Sequence, residues 1–340
     1  MAEKDLEKGK ISKSNLDCNR RDFLRGSAAV AAGLSLGGMF KSCATAPQLP
    51  AAQPDPLRLE LEEAALRFFN SPANDMGRPP SERIYVDPIF GVASGADPLW
   101  MVFKETAIGS HHWTPREAFL IAYPQETEVM PEELSVLVWV MPHTRATRDE
   151  NRQKPVLPGE RWMRTRDSGE RELHIPLVNL LIKECTDRGI QAMSPRFAPG
   201  FQSFGHGNFG IASTFSERHA GYAAGMGTFG LSGGLITRAG KANRMGSIVV
   251  RARLTPDPRP YTSIHEYCPY FKDGSCGVCM MRCPAGAIRK WRGEEDKDRC
   301  HNQLQGHFSY IHETLGVTDD YLICGKCSVG VPCESRIPIF

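Results

Sequence analysis

The chain has 340 residues, a formal net charge of +2, 41% apolar and 24% charged residues, which is the balance of a soluble globular protein with room for one large core and a small appended module. A charge so near zero, without a lysine or arginine stripe, argues against a nucleic-acid partner. Of eleven cysteines, Cys18 and Cys43 lie near the start, Cys185 stands alone in an apolar helical pattern and eight follow residue 267. That crowding excludes a chain-wide disulfide framework and reads first as metal ligation.

Residues 1–46 form an address rather than part of the fold. A polar lead ends in Arg20-Arg21-Asp22-Phe23-Leu24-Arg25, and Gly26 to Phe40 is small, apolar and uncharged, shorter than the about 20 residues a membrane-spanning helix needs. This pattern resembles a twin-arginine export signal; an amphipathic helix with a chance arginine pair is the plainer alternative. Ala44-Thr45-Ala46 fits a cleavage site, while Cys43 as a lipid-anchor cysteine sits poorly with Lys41. The expectation is a periplasmic protein delivered by the twin-arginine (Tat) export machinery, with membrane association left open.

Residues 47–56 read as a linker rich in Pro, Ala and Gln. Asp55-Pro56 offers an N-cap and an N1 proline to a helix whose apolar face is Leu57, Leu61, Ala64 and Phe68. Gly77 to Gly95 is loop-like, Thr114-Pro115-Arg116-Glu117 is a capping box opening a helix through Ala122, and Leu134 to Met141 is an apolar run of strand length. Arg145 to Gly169 is expected to be a long polar surface loop, Ile175 to Arg188 a helix ending at Gly189, and Ser247 to Leu254 a second strand. Mixed helices and strands predict an α/β or α+β core. Between them, Ala224-Gly225-Met226-Gly227-Thr228-Phe229-Gly230 and Gly233-Gly234 follow a helical start at Glu217-Arg218-His219-Ala220. Glycine permits close backbone approach to a ligand, or merely a tight turn, and the spacing is not that of a dinucleotide-binding loop.

Cys276-x2-Cys279-x3-Cys283-Pro284 is three-quarters of the ferredoxin run C-x2-C-x2-C-x3-C-P. The missing first cysteine would fall at Asp273, and Cys268 is its substitute. The second set is Cys300, Cys324-x2-Cys327 and Cys333. In two-cluster ferredoxins the last cysteine of each run serves the other cluster. That rule assigns Cys268, Cys276, Cys279 and Cys333 to one [4Fe–4S] cluster and Cys283, Cys300, Cys324 and Cys327 to the other. A four-thiolate zinc site built from the two C-x2-C pairs is the rival; it strands four cysteines.

Tandem cluster motifs after a core carrying Glu217-Arg218-His219-Ala220, Ala224-Gly225-Met226-Gly227, Gly230 and Gly234-Leu235-Ile236-Thr237 resemble the epoxyqueuosine reductase and reductive dehalogenase families, as does Asp298-Arg299-Cys300. The resemblance covers roughly residues 130–335. It implies an α+β protein with a nitroreductase-like core (47–255) and a ferredoxin-like double [4Fe–4S] module (256–340). It also implies a base-off cobalamin beside Gly225, Gly227, Gly230 and Gly234, reduced through the clusters. The export signal favours the dehalogenase side, although the chain is shorter than typical dehalogenases. An electron donor, with a membrane-bound redox partner left open, and a small-molecule substrate are the implied partners.

The proton donor that these families carry before the Glu-Arg stretch, an Asp or a Tyr, has no counterpart in residues 200–216. His206 is the substitute, with Tyr222 and Arg218 as further catalytic candidates. A solvated loop histidine and one polar helix face are the plainer readings of these three residues. His174 resembles a histidine of the reductase family, and the adjacent pair His111-His112 reads as part of a pre-helix loop. Two classes of function therefore stand side by side: a corrinoid reductase, and an electron-transfer protein without corrinoid.

Overall fold

The apolar run after Leu134 forms strand β2 (Ser135–Pro142), buried along its whole length. Its side chains alternate between two cores, Val136 and Val138 facing one and Leu137, Trp139 and Met141 the other, because successive strand side chains point to opposite faces. The structure is a computed structural model that describes residues 55–77, 81–207, 210–289 and 296–339, without the side chains of 204–207, 210 and 211. The arginine pair, Cys18, Cys43 and the 47–54 part of the linker lie outside the described residues.

Strand β2 pairs with β1 (Ile89–Ser94) and β8 (Asn243–Val250), and the short β3 (Ala192–Met193) pairs with β8, giving an antiparallel sheet of order β1-β2-β8-β3. Helices α1 (Pro56–Phe69) and α5 (Ile175–Thr186) cover one face through Leu61, Ala65, Phe69, Leu177, Val178 and Leu181. Helices α2 (Pro115–Ala122) and α6 (Glu217–Ala223) cover the other through Ala118, Phe119, Ala220 and Ala223. The architecture is thus mixed α/β in three layers. Between two helical layers, a strand can be apolar on both faces.

Several local expectations hold. Thr114 accepts from the Glu117 N–H while Glu117 accepts from the Thr114 N–H, closing the capping box, and Gly189 takes the left-handed φ of +72° just past α5. Others change. Asp55 precedes α1, but its carboxylate accepts from the Thr255 N–H instead of capping its own helix. Strand β1 lies inside the stretch read as loop; its Gly91 is required because the Ala224 carbonyl and Met226 lie where a Cβ would be.

The stretch Arg145–Gly169 is largely helical: α3 (Arg145–Gln153) and α4 (Glu160–Arg164), followed by a π-helical segment over Gly169–His174. It reads as loop because its buried side is polar. Asn151 is fully buried and donates to the Cys324 carbonyl, and Arg148 and Arg152 pair with Glu334.

After α6, the glycine-rich run forms a hairpin of β6 (Gly227–Phe229) and β7 (Leu235–Thr237), and β4 (Ser203–Gly207) with β5 (Gly210–Ser213) forms another. The cysteine-rich segment follows with α7 (Val278–Arg282), α8 (Lys297–Gln305) and α9 (Phe308–Leu315). Two hydrophobic clusters cross residue 255: Ile311, Ile323 and Val329 pack with Trp162, Met163 and Ala242, and Cys268, Cys279 and Val331 pack with Leu231 and Ile236. Core and cysteine segment share one packing unit, residues 52–340.

The β6–β7 hairpin gives a direct test of the packing. A Cβ at Gly227 would fall on the Ile236 carbonyl, a backbone group that cannot swing aside. Gly227→Ala should therefore destabilise the protein by at least about 2 kcal/mol, read as a lowered urea midpoint with an unchanged slope.

Candidate metal centres

Two cavities gather the eight cysteines of the last quarter of the chain into two fours. The first is a small recess lined by Cys268, Cys276, Cys279 and Cys333 together with Gly230, Leu231 and Lys241. Cys268 precedes a helical turn at Pro269–Lys272, and Cys279 lies on α7. Cys333 is brought in by backbone pairing: the Lys241 N–H donates to the Cys333 carbonyl at 2.8 Å and the Ala242 N–H to the Glu334 carbonyl at 2.9 Å. Gly240, with φ +79°, allows that approach, since a Cβ there would strike the backbone of Glu334 and Ser335.

The second cavity, of about 270 Å³, is lined by Cys283, Cys300, Cys324 and Cys327, together with Lys326 and with His143, Arg166 and Arg244 of the core. The Cys283 sulfur, just beyond α7, accepts from the Ala287 N–H at 3.3 Å. The two fours are the same sets that the crossed ferredoxin rule groups. The two C-x2-C pairs line different cavities, so they do not share one site. Among the described residues no three or more His, Cys, Asp or Glu side chains form a single-ion site.

Burial favours the protonated form of three of these thiols: it pushes Cys279 up to about 12 and Cys324 up to about 11, and it also raises Cys333. Ligation would have to displace those protons. Each cavity also contains a buried lysine. Lys241 donates to Ser232 Oγ at 2.6 Å; burial opposes its charge, but Cys333, Cys327, Cys279 and Cys268 outweigh burial and raise its pKa. Lys326 donates to the carbonyl and Oδ1 of Asn151 at 2.7 and 2.8 Å, and burial draws it down to about 8. All-sulfur donor sets in desolvated pockets, with cations beside them, fit anionic iron–sulfur clusters.

Beside the second cavity lies a network that composition and motif did not reveal. The Glu170 carboxylate faces Arg196 at 2.8 Å, His174 and Arg166 at 3.4 Å and Arg244 at 3.5 Å. Burial opposes its ionisation, but His174, Arg196 and Arg244 together hold it well below the usual carboxylate range. Glu217, at the start of α6, is the converse: burial pushes its carboxyl up to about 8 despite Arg196 and Arg244, so at neutral pH it carries its proton. His174 is 3% exposed, and Gly246 makes room for it and for Trp139, both of which lie where a Cβ would be.

The remaining candidates are dispersed. His206 lies on β4, but its side chain is outside the described residues. Arg218 donates to the Gly233 carbonyl at 2.8 Å, bracing the glycine-rich run. The Tyr222 ring is buried against Phe103, Phe229 and Tyr261, and burial raises its pKa. The space at each glycine is taken by the chain itself: the Pro258 carbonyl at Gly225 (φ +72°), the Ile236 carbonyl at Gly227, the Ile236 side chain at Gly230 and the Lys241 stem at Gly234. His112 is buried and drawn down to about 3 by desolvation and by His111.

Comparison with known proteins adds a signal and a likeness. Residues 17–37 match the signal sequence of the twin-arginine translocation pathway, the route of export across the membrane. No curated protein matches the chain. Among solved structures it is similar to a selenomethionine-labelled epoxyqueuosine reductase, at 15% identity over 84% of this chain and 67% of that one, with a TM-score of 0.43. Similar too are the epoxyqueuosine reductase of Bacillus subtilis (17% identity, 83% and 66% covered, TM-score 0.41) and an epoxyqueuosine reductase bound to a tRNA-Tyr epoxyqueuosine-modified stem loop (16%, 84% and 67%, TM-score 0.44). Among the described residues no helix is long and apolar enough to cross a membrane.

The half-buried Glu217 sets a pH dependence. Its pKa is raised on folding, so the stability it contributes as a neutral group is present below the unfolded carboxyl pKa of about 4.3 and is lost as pH rises toward about 8. Glu217→Gln cannot ionise in either state. Its stability relative to the natural protein should therefore climb between pH 5 and 8 by up to about 1.4 kcal/mol per pH unit, measured from urea midpoints at each pH.

Proposed function

We propose that this chain is an exported iron–sulfur redox protein that holds two [4Fe–4S] clusters, one in each four-cysteine cavity, and relays electrons one at a time. The observation that carries this reading is the gathering of eight cysteines into two separate all-sulfur pockets with none left over. When bound, such clusters supply one-electron transfer at potentials set by charge, hydrogen bonding and exposure. The chain wholly or partly buries the sulfurs, places cations beside them and brings the two pockets close. Cys327, which lines the second cavity, is near enough to act on Cys279 and Lys241 of the first.

A base-off cobalamin is the further cofactor that family resemblance implies. The space beside the four glycines that would floor its ring is filled by the chain's own backbone and side chains; they do not fit that role. Relay to a partner, with an electron donor on the periplasmic side or in the membrane, is the reading these residues favour. One observation favours a reductase acting on a small substrate. Glu217 offers a held proton in the core, a donor better placed than Tyr222, which is packed among rings, or Arg218, which is engaged with Gly233. His206 completes that set of candidates.

Protein purified without oxygen should contain about eight iron and eight sulfide per chain. One zinc per chain with negligible iron would overturn the proposal. Maturation with corrinoid supplied should leave it free of cobalt; one cobalt per chain, with corrinoid absorption, would restore the corrinoid reductase.

The twin-arginine signal makes the destination testable as well. Replacing Arg20 and Arg21 by Lys should hold the cluster-loaded protein in the cytoplasm, scored by fractionation. Unchanged periplasmic delivery would show a different route.

A further inference from the structure

The two cavities share a feature built at unrelated places in the chain. Lys241 is 4% exposed and Lys326 is 0% exposed, and the acceptors their ammonium groups reach, Ser232 Oγ and the two Asn151 oxygens, are all neutral. Among the described residues neither lysine forms an ion pair with a carboxylate; Glu150, the acidic group acting on Lys326 from a distance, is bonded to Arg161. A buried ammonium without a counter-charge is among the costliest groups a fold can hold. The backbone is nevertheless shaped to keep both. Gly234 leaves the space that the Lys241 stem fills, since a Cβ there would lie 2.7 Å from Lys241 Cγ and Cδ. Gly325, at φ +73° with the Trp162 ring where a Cβ would be, sets the turn that delivers Lys326.

Each lysine faces sulfur. Lys241 lines the first cavity with Cys268, Cys276, Cys279 and Cys333, and Lys326 lines the second with Cys283, Cys300, Cys324 and Cys327. We propose that Lys241 and Lys326 are the fixed counter-charges of the two clusters, one lysine to each, and that each raises the reduction potential of its cluster. The inference rests on the two-cluster reading above. A [4Fe–4S] centre with four thiolates is an anion, and one electron taken from a donor turns one ferric into one ferrous equivalent and adds one negative charge. A cation held close in a desolvated pocket stabilises that added charge more than the oxidised state.

The test uses the full cluster-loaded protein and potentiometric titration followed by electron paramagnetic resonance. Lys241→Met and Lys326→Met should each keep the iron content of the natural protein and lower the potential of one cluster, a different one in each variant. The reduced-to-oxidised ratio of that cluster at a fixed potential should fall at least tenfold, equivalent to about 59 mV for one electron. Ser232→Asp and Asn151→Asp keep the lysine but set a carboxylate against its Nζ. Each should lower the same potential as its methionine counterpart, and they decide the question if a methionine variant does not fold. Full iron with both potentials unmoved in all four variants would overturn the inference. Zinc or no metal in the natural protein would instead remove the two-cluster reading on which it stands.

Discussion

The pairing of Lys241-Ala242 with Cys333-Glu334 is the joint on which the arrangement depends. Two backbone hydrogen bonds at this crossing carry Cys333 into the first recess and fix Lys241 beside it. The next residue locks the segment to the core: the Glu334 carboxylate, 5% exposed, accepts from Arg148 and Arg152 of α3 and from the Gly330 N–H. Helix α3 in turn reaches the second cavity through Asn151, which bonds the Cys324 carbonyl and holds Lys326. One short crossing thus sets the relative position of both cysteine groups. A buried ion pair of this kind adds little net stability, because desolvation offsets most of its attraction, but it fixes register well.

The joint is polar because the faces it unites are already committed. The sheet spends its two apolar sides on the two helical layers, and the apolar contacts left for the cysteine segment are two smaller patches around Trp162 and Ile236. Hydrogen bonds and ion pairs supply the rest of the interface. They cost more to desolvate than apolar contacts but are directional, and direction is what eight sulfurs in two pockets require.

Much of this was legible in the residues before any coordinates. The division of the cysteines into two fours was legible through the crossed ligation of two-cluster ferredoxins, and the two cavities group them in the same way. The central strand announced itself through a run of apolar residues. Other features lacked a signal of the right kind. Helix α3 looked like loop because amphipathicity is read from apolar residues, and the buried side of α3 consists of Thr147, Asn151 and arginine stems. The glycine-rich run looked like a ligand cradle because sequence marks where Cβ is absent but not what occupies the space; here it is Pro258, Ile236 and Lys241. Lysine is the residue least expected inside a protein, so nothing singled out Lys241 or Lys326. Glu170 and its arginines come from three separate segments and converge only in three dimensions.

The order of the cysteines along the chain gives assembly a direction in time. All four walls of the second cavity, Cys283, Cys300, Cys324 and Cys327, are synthesised before Cys333, which closes the first. A growing polypeptide therefore has the parts of one pocket while the other still lacks a side, and Lys241, made long before, waits without its backbone partner. The targeting segment at residues 17–37 is at the opposite end of that sequence of events and emerges well before the cysteines. Translation thus displays the destination early and the last structural cysteine late, so that for the whole interval between them a chain already addressed for departure is one whose first pocket is still open.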